Sequence, residues 1–164
     1  MSFEGKIILI TGASSGIGAA CSQYFHKEGA LLSLVGRNPD KFEKLFEKLG
    51  ENGIETEPLT IYADVSVDAE RIINETIEKY GRLDILINNA GFGIPASLET
   101  LQIQDYDGIM ATNVRGVVEL TQLAVPYLIE TKGNIINVSS IAGIIPVPEF
   151  FAYSMSKAAL DQFT

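Results

Sequence analysis

Apolar residues run almost without interruption through Lys6–Thr11 (KIILIT), Ala30–Gly36 (ALLSLVG), Leu59–Asp64 (LTIYAD), Leu83–Asn88 (LDILIN) and Gly133–Ser139 (GNIINVS). Each run has strand length, and the consecutive apolar residues of Lys6–Thr11, in place of an in-out alternation, predict a strand buried on both faces. Between the runs the apolar spacing becomes helical. The first helix follows a glycine-rich turn and reaches about Glu28, with Gly29 as its stop. Asn38-Pro39-Asp40 opens a second helix that ends near Gly50, with Asn52-Gly53 as punctuation. Ser66 is the expected N-cap of a third, running to Tyr80 with Gly81 just past it. A Gly/Pro-bearing loop, Gly91 to Ser97, leads into a long helical stretch to about Thr131, in which Pro126 is a candidate kink. Pro146 and Pro148 mark a loop, and a last helix starts near Phe151.

Strands alternating with helices imply right-handed crossovers and a parallel sheet. The fold class is therefore α/β, a Rossmann-type doubly wound sheet with expected strand order 3-2-1-4-5. Residues 1–164 read as one dinucleotide-binding domain, without internal repeats or linkers. The segment Tyr153–Thr164 (YSMSKAALDQFT) runs to the last residue as an amphipathic helix with no cap or breaker, so a C-terminally truncated domain is expected.

Composition narrows the function classes. Apolar residues make up 46% and charged residues 20%, a globular balance. The excess of 21 Asp+Glu over 12 Lys+Arg gives a net charge of −9, which argues against nucleic acid or an anionic membrane as a partner. The lone Cys21 allows no internal disulfide and reads as core packing. No apolar run is long enough to span a bilayer, and the start lacks a signal-peptide layout. The expected location is the cytoplasm, with any C-terminal address beyond residue 164 left open. His26, the only histidine, has no partners at metal-ligand spacing and reads as a surface residue. Lys41–Lys48 (KFEKLFEK) reads as a solvated face with an apolar stripe. Phe150 and Phe151 suit a substrate pocket or core packing equally.

Several short motifs carry chemistry. Thr11-Gly12-Ala13-Ser14-Ser15-Gly16-Ile17-Gly18 joins the first strand to the first helix. Glycines there let the backbone approach a pyrophosphate, and the helix N-terminus offers free N–H groups and a positive dipole end. Taken alone, such a cluster is also a plain tight turn. Asp64-Val65 ends the third strand, where an Asp is equally an ordinary helix cap. Asn88-Asn89-Ala90-Gly91 ends the fourth, either as a cofactor element or as a simple turn. Tyr153 and Lys157 lie four apart and share a helix face. An isolated phenol ionises near ~10, and a neighbouring ammonium favours its ionised form. Ser139 and Ser140 end the fifth strand, where a hydroxyl could polarise a carbonyl.

In this order, over essentially the whole chain, these motifs resemble the short-chain dehydrogenases/reductases. The resemblance implies that Thr11, Gly12, Ser14, Ser15, Gly16, Ile17, Gly18, Asp64, Val65, Asn88, Ala90 and Gly91 bind the cofactor, with Asp64 on the adenine amino group. It implies a catalytic quartet of Asn113, Ser140, Tyr153 and Lys157, the last two also touching the cofactor. The serine thirteen positions before the tyrosine is Ser140 rather than Ser139. Asn113 (in Asn113-Val114-Arg115-Gly116) is associated with a water in a proton relay through Lys157. The resemblance further implies two more strands, a substrate segment and C-terminal helices beyond Thr164, and a homo-oligomeric full-length protein, dimer or tetramer.

NAD enzymes place a carboxylate at the end of the second strand. Here Gly36-Arg37 offers none and supplies a guanidinium, which suits a 2′-phosphate and hence NADPH over NADH; a solvated surface arginine is the plainer reading. The expected activity is NADP(H)-dependent interconversion of a small-molecule carbonyl and a secondary alcohol, of the 3-oxoacyl or ketone reductase type. An inactive fragment or dinucleotide-binding scaffold is the alternative. A Rossmann-like methyltransferase would leave Tyr153 and Lys157 without a role. No metal is expected.

Overall fold

The computed structural model describes residues 3–51 and 56–164, so the Asn52-Gly53 punctuation lies outside the described residues. Strands β1 (Ile7–Thr11), β2 (Leu31–Gly36), β3 (Leu59–Tyr62), β4 (Ile85–Asn88) and β5 (Asn134–Asn137) form one parallel sheet in the order β3-β2-β1-β4-β5. This is the expected order; each strand is trimmed where the chain leaves the sheet for its turns. All five residues of β1 are buried. Its side chains alternate between two cores: Ile7 and Leu9 pack with Ile72, Leu86 and Leu120, and Ile8 and Ile10 with Leu34, Phe42 and Ile87. That two-sided burial is why the sequence shows no alternation.

Among the described residues six α-helices flank the sheet: α1 (Gly16–Lys27), α2 (Pro39–Gly50), α3 (Ala69–Tyr80), α4 (Ile103–Met110), α5 (Gly116–Thr131) and α6 (Phe151–Phe163). Gly29 (φ 84°) takes the left-handed conformation just after α1, as expected of a helix stop. Asn38 caps α2, its side chain accepting from the Lys41 N–H at 3.0 Å, with Pro39 at the first helical position.

Three expectations are corrected. Ser66 does not cap α3; the cap position is Asp68. Ser66 instead turns both its N–H and its hydroxyl onto Asp64 Oδ1, at 2.9 and 2.7 Å. The long helical stretch begins only at Ile103 and is not uniform: a π-helical turn, Ala111–Arg115, separates α4 from α5. Pro126 lies within α5, which continues to Thr131. His26 is not a surface residue but 2% exposed, with its ring Nε2 2.9 Å from the Thr56 carbonyl. The buried face of α1 is Gly18, Ser22 and His26, so it carries no apolar signal that would mark it as inward.

Asp84, just before β4, braces the sheet from below. Its buried carboxylate accepts from the Ile7 N–H at 3.0 Å and from Lys6 and Arg82. Burial alone would raise this carboxyl, but those hydrogen bonds outweigh it and hold it below the usual range. Among the described residues, no helix is long and apolar enough to cross a membrane.

Candidate active site and cofactor cleft

A cleft of about 390 Å³ opens at the carboxyl ends of the strands. The strand order reverses between β1 and β4, the place where open α/β sheets bind ligands. The glycine turn forms one wall. Gly12 has φ 63°, and a Cβ there would come within 2.9 Å of Asn89 Nδ2 and 3.0 Å of the Ala90 Cα. A Cβ on Gly18 would collide with the Gly12 carbonyl, so its bareness lets α1 start directly against the turn. Ser14, Ser15 and Ile17 line the cleft, whereas Thr11, Gly16 and Gly18 do not. Thr11 laces the floor: its hydroxyl accepts from the Asn89 and Ala90 N–H groups, both at 3.0 Å, and donates to the Ile87 carbonyl. This backbone-lined hollow at the N-terminus of a three-turn helix fits a dinucleotide pyrophosphate.

The far wall is the end of β2. A Cβ on Gly36 would meet the Phe42 ring at 3.0 Å and Ser14 Oγ at 3.2 Å, so there is little room for the ribose-binding carboxylate of NAD enzymes. Arg37 and Lys41 line this wall. The Arg37 guanidinium donates to Asp64 Oδ2 at 3.2 Å, while Asp64 Oδ1 holds Ser66. Burial would raise the Asp64 carboxyl, but the Ser66 hydrogen bonds and the Arg37 charge outweigh it and hold it low. Val65 lines the same wall.

Asn88 and Asn89 divide their work. Asn88 is buried away from the cleft and ties β4 outward, donating to Thr121 Oγ1 at 3.1 Å and Asn137 Oδ1 at 2.9 Å. Asn89 reaches back to β1, donating to the Thr11 and Gly12 carbonyls at 2.9 and 3.2 Å. It lines the cleft with Ala90 and Gly91.

Beyond Gly91 stand the four candidate catalytic residues. Lys157 is 4% exposed, and its Nζ donates to the Val138 carbonyl at 2.7 Å. The same Nζ lies 5.7 Å from the centre of the Tyr153 ring. Burial pushes the Lys157 ammonium down, with the Asp161 charge partly opposing it. The missing side chains of the loop make room: a Cβ on Gly93 would touch Tyr153 at 3.0 Å, and one on Gly91 would lie 3.6 Å from Lys157 Nζ. Ser140 starts the 3-10 turn Ile141–Gly143, its hydroxyl accepting from the Ala142 N–H at 3.2 Å. Asn113 sits in the π turn, where such irregularities often mark function. Its side chain is committed to protein: Oδ1 accepts from the Phe92 N–H, and Nδ2 donates to the Phe92 carbonyl and Ser156 Oγ.

Sequence reasoning missed Asn89, Lys41, Gly93 and Ser156. Asn89 and Gly93 stood inside quoted segments, but only geometry separates the inward asparagine from the outward one. Lys41 was hidden among the charges of a solvated helix.

The family model for short chain dehydrogenases matches residues 6–164. A 3-oxoacyl-(acyl-carrier-protein) reductase of Thermotoga maritima is 35% identical, covering 100% of this chain and 67% of its own length. NAD+-bound xylitol dehydrogenase superposes with a TM-score of 0.91 at 28% identity, over 100% of this chain and 64% of that one. The L-sorbose reductase of Gluconobacter frateurii, solved with NADPH and L-sorbose, gives 0.92 at 31% identity, over 99% and 63%. Among curated relatives at 41–43% identity, this chain spans 52–63% of their length. With the fold, the cleft and the ordered motifs in agreement with that match, the chain belongs to the short-chain dehydrogenase family.

Proposed function

We propose that this chain is the cofactor-binding and catalytic part, a single dinucleotide-binding domain, of an NADP(H)-dependent oxidoreductase interconverting a small-molecule ketone and a secondary alcohol. The 3-oxoacyl and simple ketone reductase types are the substrate classes intended. The observation that carries the chemistry is the buried Lys157 ammonium beside the Tyr153 ring, next to Gly91 of the cleft wall. The cofactor preference rests on Gly36, which leaves little space for a carboxylate, and on the cations Arg37 and Lys41 beside it.

When bound, the dinucleotide supplies the hydride for reduction or takes it in the reverse direction. The pyrophosphate would be held by the turn from Gly12 to Ile17 and the start of α1, and the 2′-phosphate by Arg37. Tyr153 Oη gives its proton to the carbonyl oxygen, and Ser140 Oγ donates a hydrogen bond to the same oxygen. The Lys157 ammonium stabilises the phenolate left behind and would help to hold the nicotinamide ribose. The Asn113 side chain, bonded to Phe92 and Ser156, holds the loop after Gly91 against α6. The full-length protein is proposed to work in the cytoplasm as a dimer or tetramer.

The test uses full-length protein, with NADPH binding followed by fluorescence and ketone-dependent NADPH oxidation by absorbance. Tyr153→Phe is expected to lose roughly 10²–10⁴-fold in kcat while binding NADPH normally. A variant that keeps most of its turnover overturns the assignment. Wild type that binds NADPH but oxidises it with no ketone supports the scaffold reading instead.

A further inference from the structure

We infer that Ser156 is a positioning residue that fixes the catalytic helix against the cofactor loop. The inference rests on the reading of Tyr153 as proton donor. Ser156 is 0% exposed and lies one turn after Tyr153, immediately before Lys157. Its hydroxyl donates to the Tyr153 carbonyl at 2.7 Å and accepts from Asn113 Nδ2 at 2.9 Å. Asn113 turns its remaining groups onto Phe92, at 3.0 Å to the N–H and 2.9 Å to the carbonyl. Phe92 stands between Gly91 and Gly93, the two glycines against which Lys157 and Tyr153 pack. The contacts form a closed circuit. It runs from the Tyr153 main chain through Ser156, Asn113 and Phe92 to Gly93, and back to the Tyr153 side chain.

A hydroxyl bonded to a carbonyl one turn back is common in helices and fixes nothing beyond the helix. Ser22 does this to the Gly18 carbonyl at 2.8 Å. Thr76 does so to the Ile72 carbonyl and also bridges to Ser33 at 2.7 Å, but no site residue lies at either end. Ser156 differs in what it joins: one bond ends on the proton donor's own backbone, and the other on the side chain that clamps the cofactor loop. Serine suits the position because one small group both donates and accepts. Alanine would leave an Asn113 N–H buried without a partner and release α6 from the loop. A misplacement of about 1 Å at a catalytic group costs on the order of a hundredfold in rate.

The experiment compares Ser156→Ala and Ser156→Cys with Thr76→Val, a control that removes a buried bridging hydroxyl far from the site. All are made in full-length protein. Ser156→Ala is expected to lose roughly 10- to 100-fold in kcat, with KM for NADPH held within about threefold. Thr76→Val should lower Tm without that split between kcat and KM. Ser156→Cys, which keeps the volume but bonds weakly, should fall between wild type and alanine, and it decides the matter in the same terms if the alanine variant does not fold. A folded Ser156 variant with kcat within about twofold of wild type overturns the proposal, whatever its Tm. Amide hydrogen exchange separates this failure from that of the functional reading, because it needs no turnover. Faster exchange across Tyr153–Lys157 in Ser156→Ala, but not in Thr76→Val, supports the positioning role even if no ketone is reduced. Unchanged exchange in α6 overturns it.

Discussion

At the residue scale the most informative position is Gly36-Arg37. Arg37 is 70% exposed, yet Asp64 holds it from one side, and Asp64 is itself fixed by two hydrogen bonds from Ser66. The guanidinium is thus aimed rather than free, which lowers the ordering cost of gripping a phosphate. Removing it should cost the charge-assisted bonds to a 2′-phosphate, about 1.5–3 kcal/mol, or roughly 10- to 100-fold in Kd. Arg37→Ala is therefore expected to weaken NADPH binding by that factor and to leave NADH within about twofold, read by fluorescence titration of each cofactor. Equal losses for both would show that Arg37 serves the fold and not the phosphate. The missing carboxylate and the adjacent cation were legible in the sequence. The Phe42 ring that crowds Gly36 was not, because it comes from the next helix and looked like ordinary apolar stripe.

At the element scale, strands and crossovers were legible because burial on both faces leaves an unmistakable apolar run. What escaped were places where polar residues do inward work. His26 and Ser22 face inward on α1 without an apolar signal, and the π turn at Asn113 has no signature beyond the side chain that occupies it. The helix α6 shows the energetic side of such burial. Burial, its main influence, lowers the pKa of Lys157 below the ordinary lysine value of 10.5, against a smaller opposing effect of Asp161. The unfolded chain therefore binds more protons than the folded one between the depressed value and 10.5. Stability then rises with pH through that window, since the slope follows the protons bound by the unfolded state minus those bound by the native state. Below the window both states are protonated and the burial cost is present in full; above it the cost is gone. Urea unfolding of wild type and Lys157→Met across alkaline pH should show wild type gaining on the variant as pH rises through the window. Parallel curves would mean that the ammonium reaches solvent when folded.

At the scale of the whole molecule the sheet is asymmetric. The parallel sheet was legible from alternation and handedness, and its order from the dinucleotide-binding motifs, but the state of its two edges was not. Strand β5 pairs only with β4, and its burial pattern is the reverse of β1's: Asn134, Ile135 and Ile136 are all exposed. Consecutive strand residues point to opposite faces, so Ile135 (39% exposed) and Ile136 (44%) leave an apolar side chain open on each face of the edge. In the neighbouring strand β4 such residues are buried, as Ile85, Leu86 and Ile87 are. An edge with unpaired backbone N–H and C=O groups and apolar residues on both faces is a template for pairing with another chain. The net charge of −9 opposes close approach of two copies, but salt screens it beyond roughly 8–10 Å. Residues 1–164 expressed alone are therefore expected to self-associate, more at high salt, and to be inactive toward ketones. The double variant Ile135→Lys/Ile136→Lys should restore a monomer, because lysines on an exposed edge block strand addition. Size-exclusion chromatography with light scattering reads this directly. A monodisperse wild-type chain at high salt, or a lysine variant that associates as strongly as wild type, would place the association elsewhere on the surface.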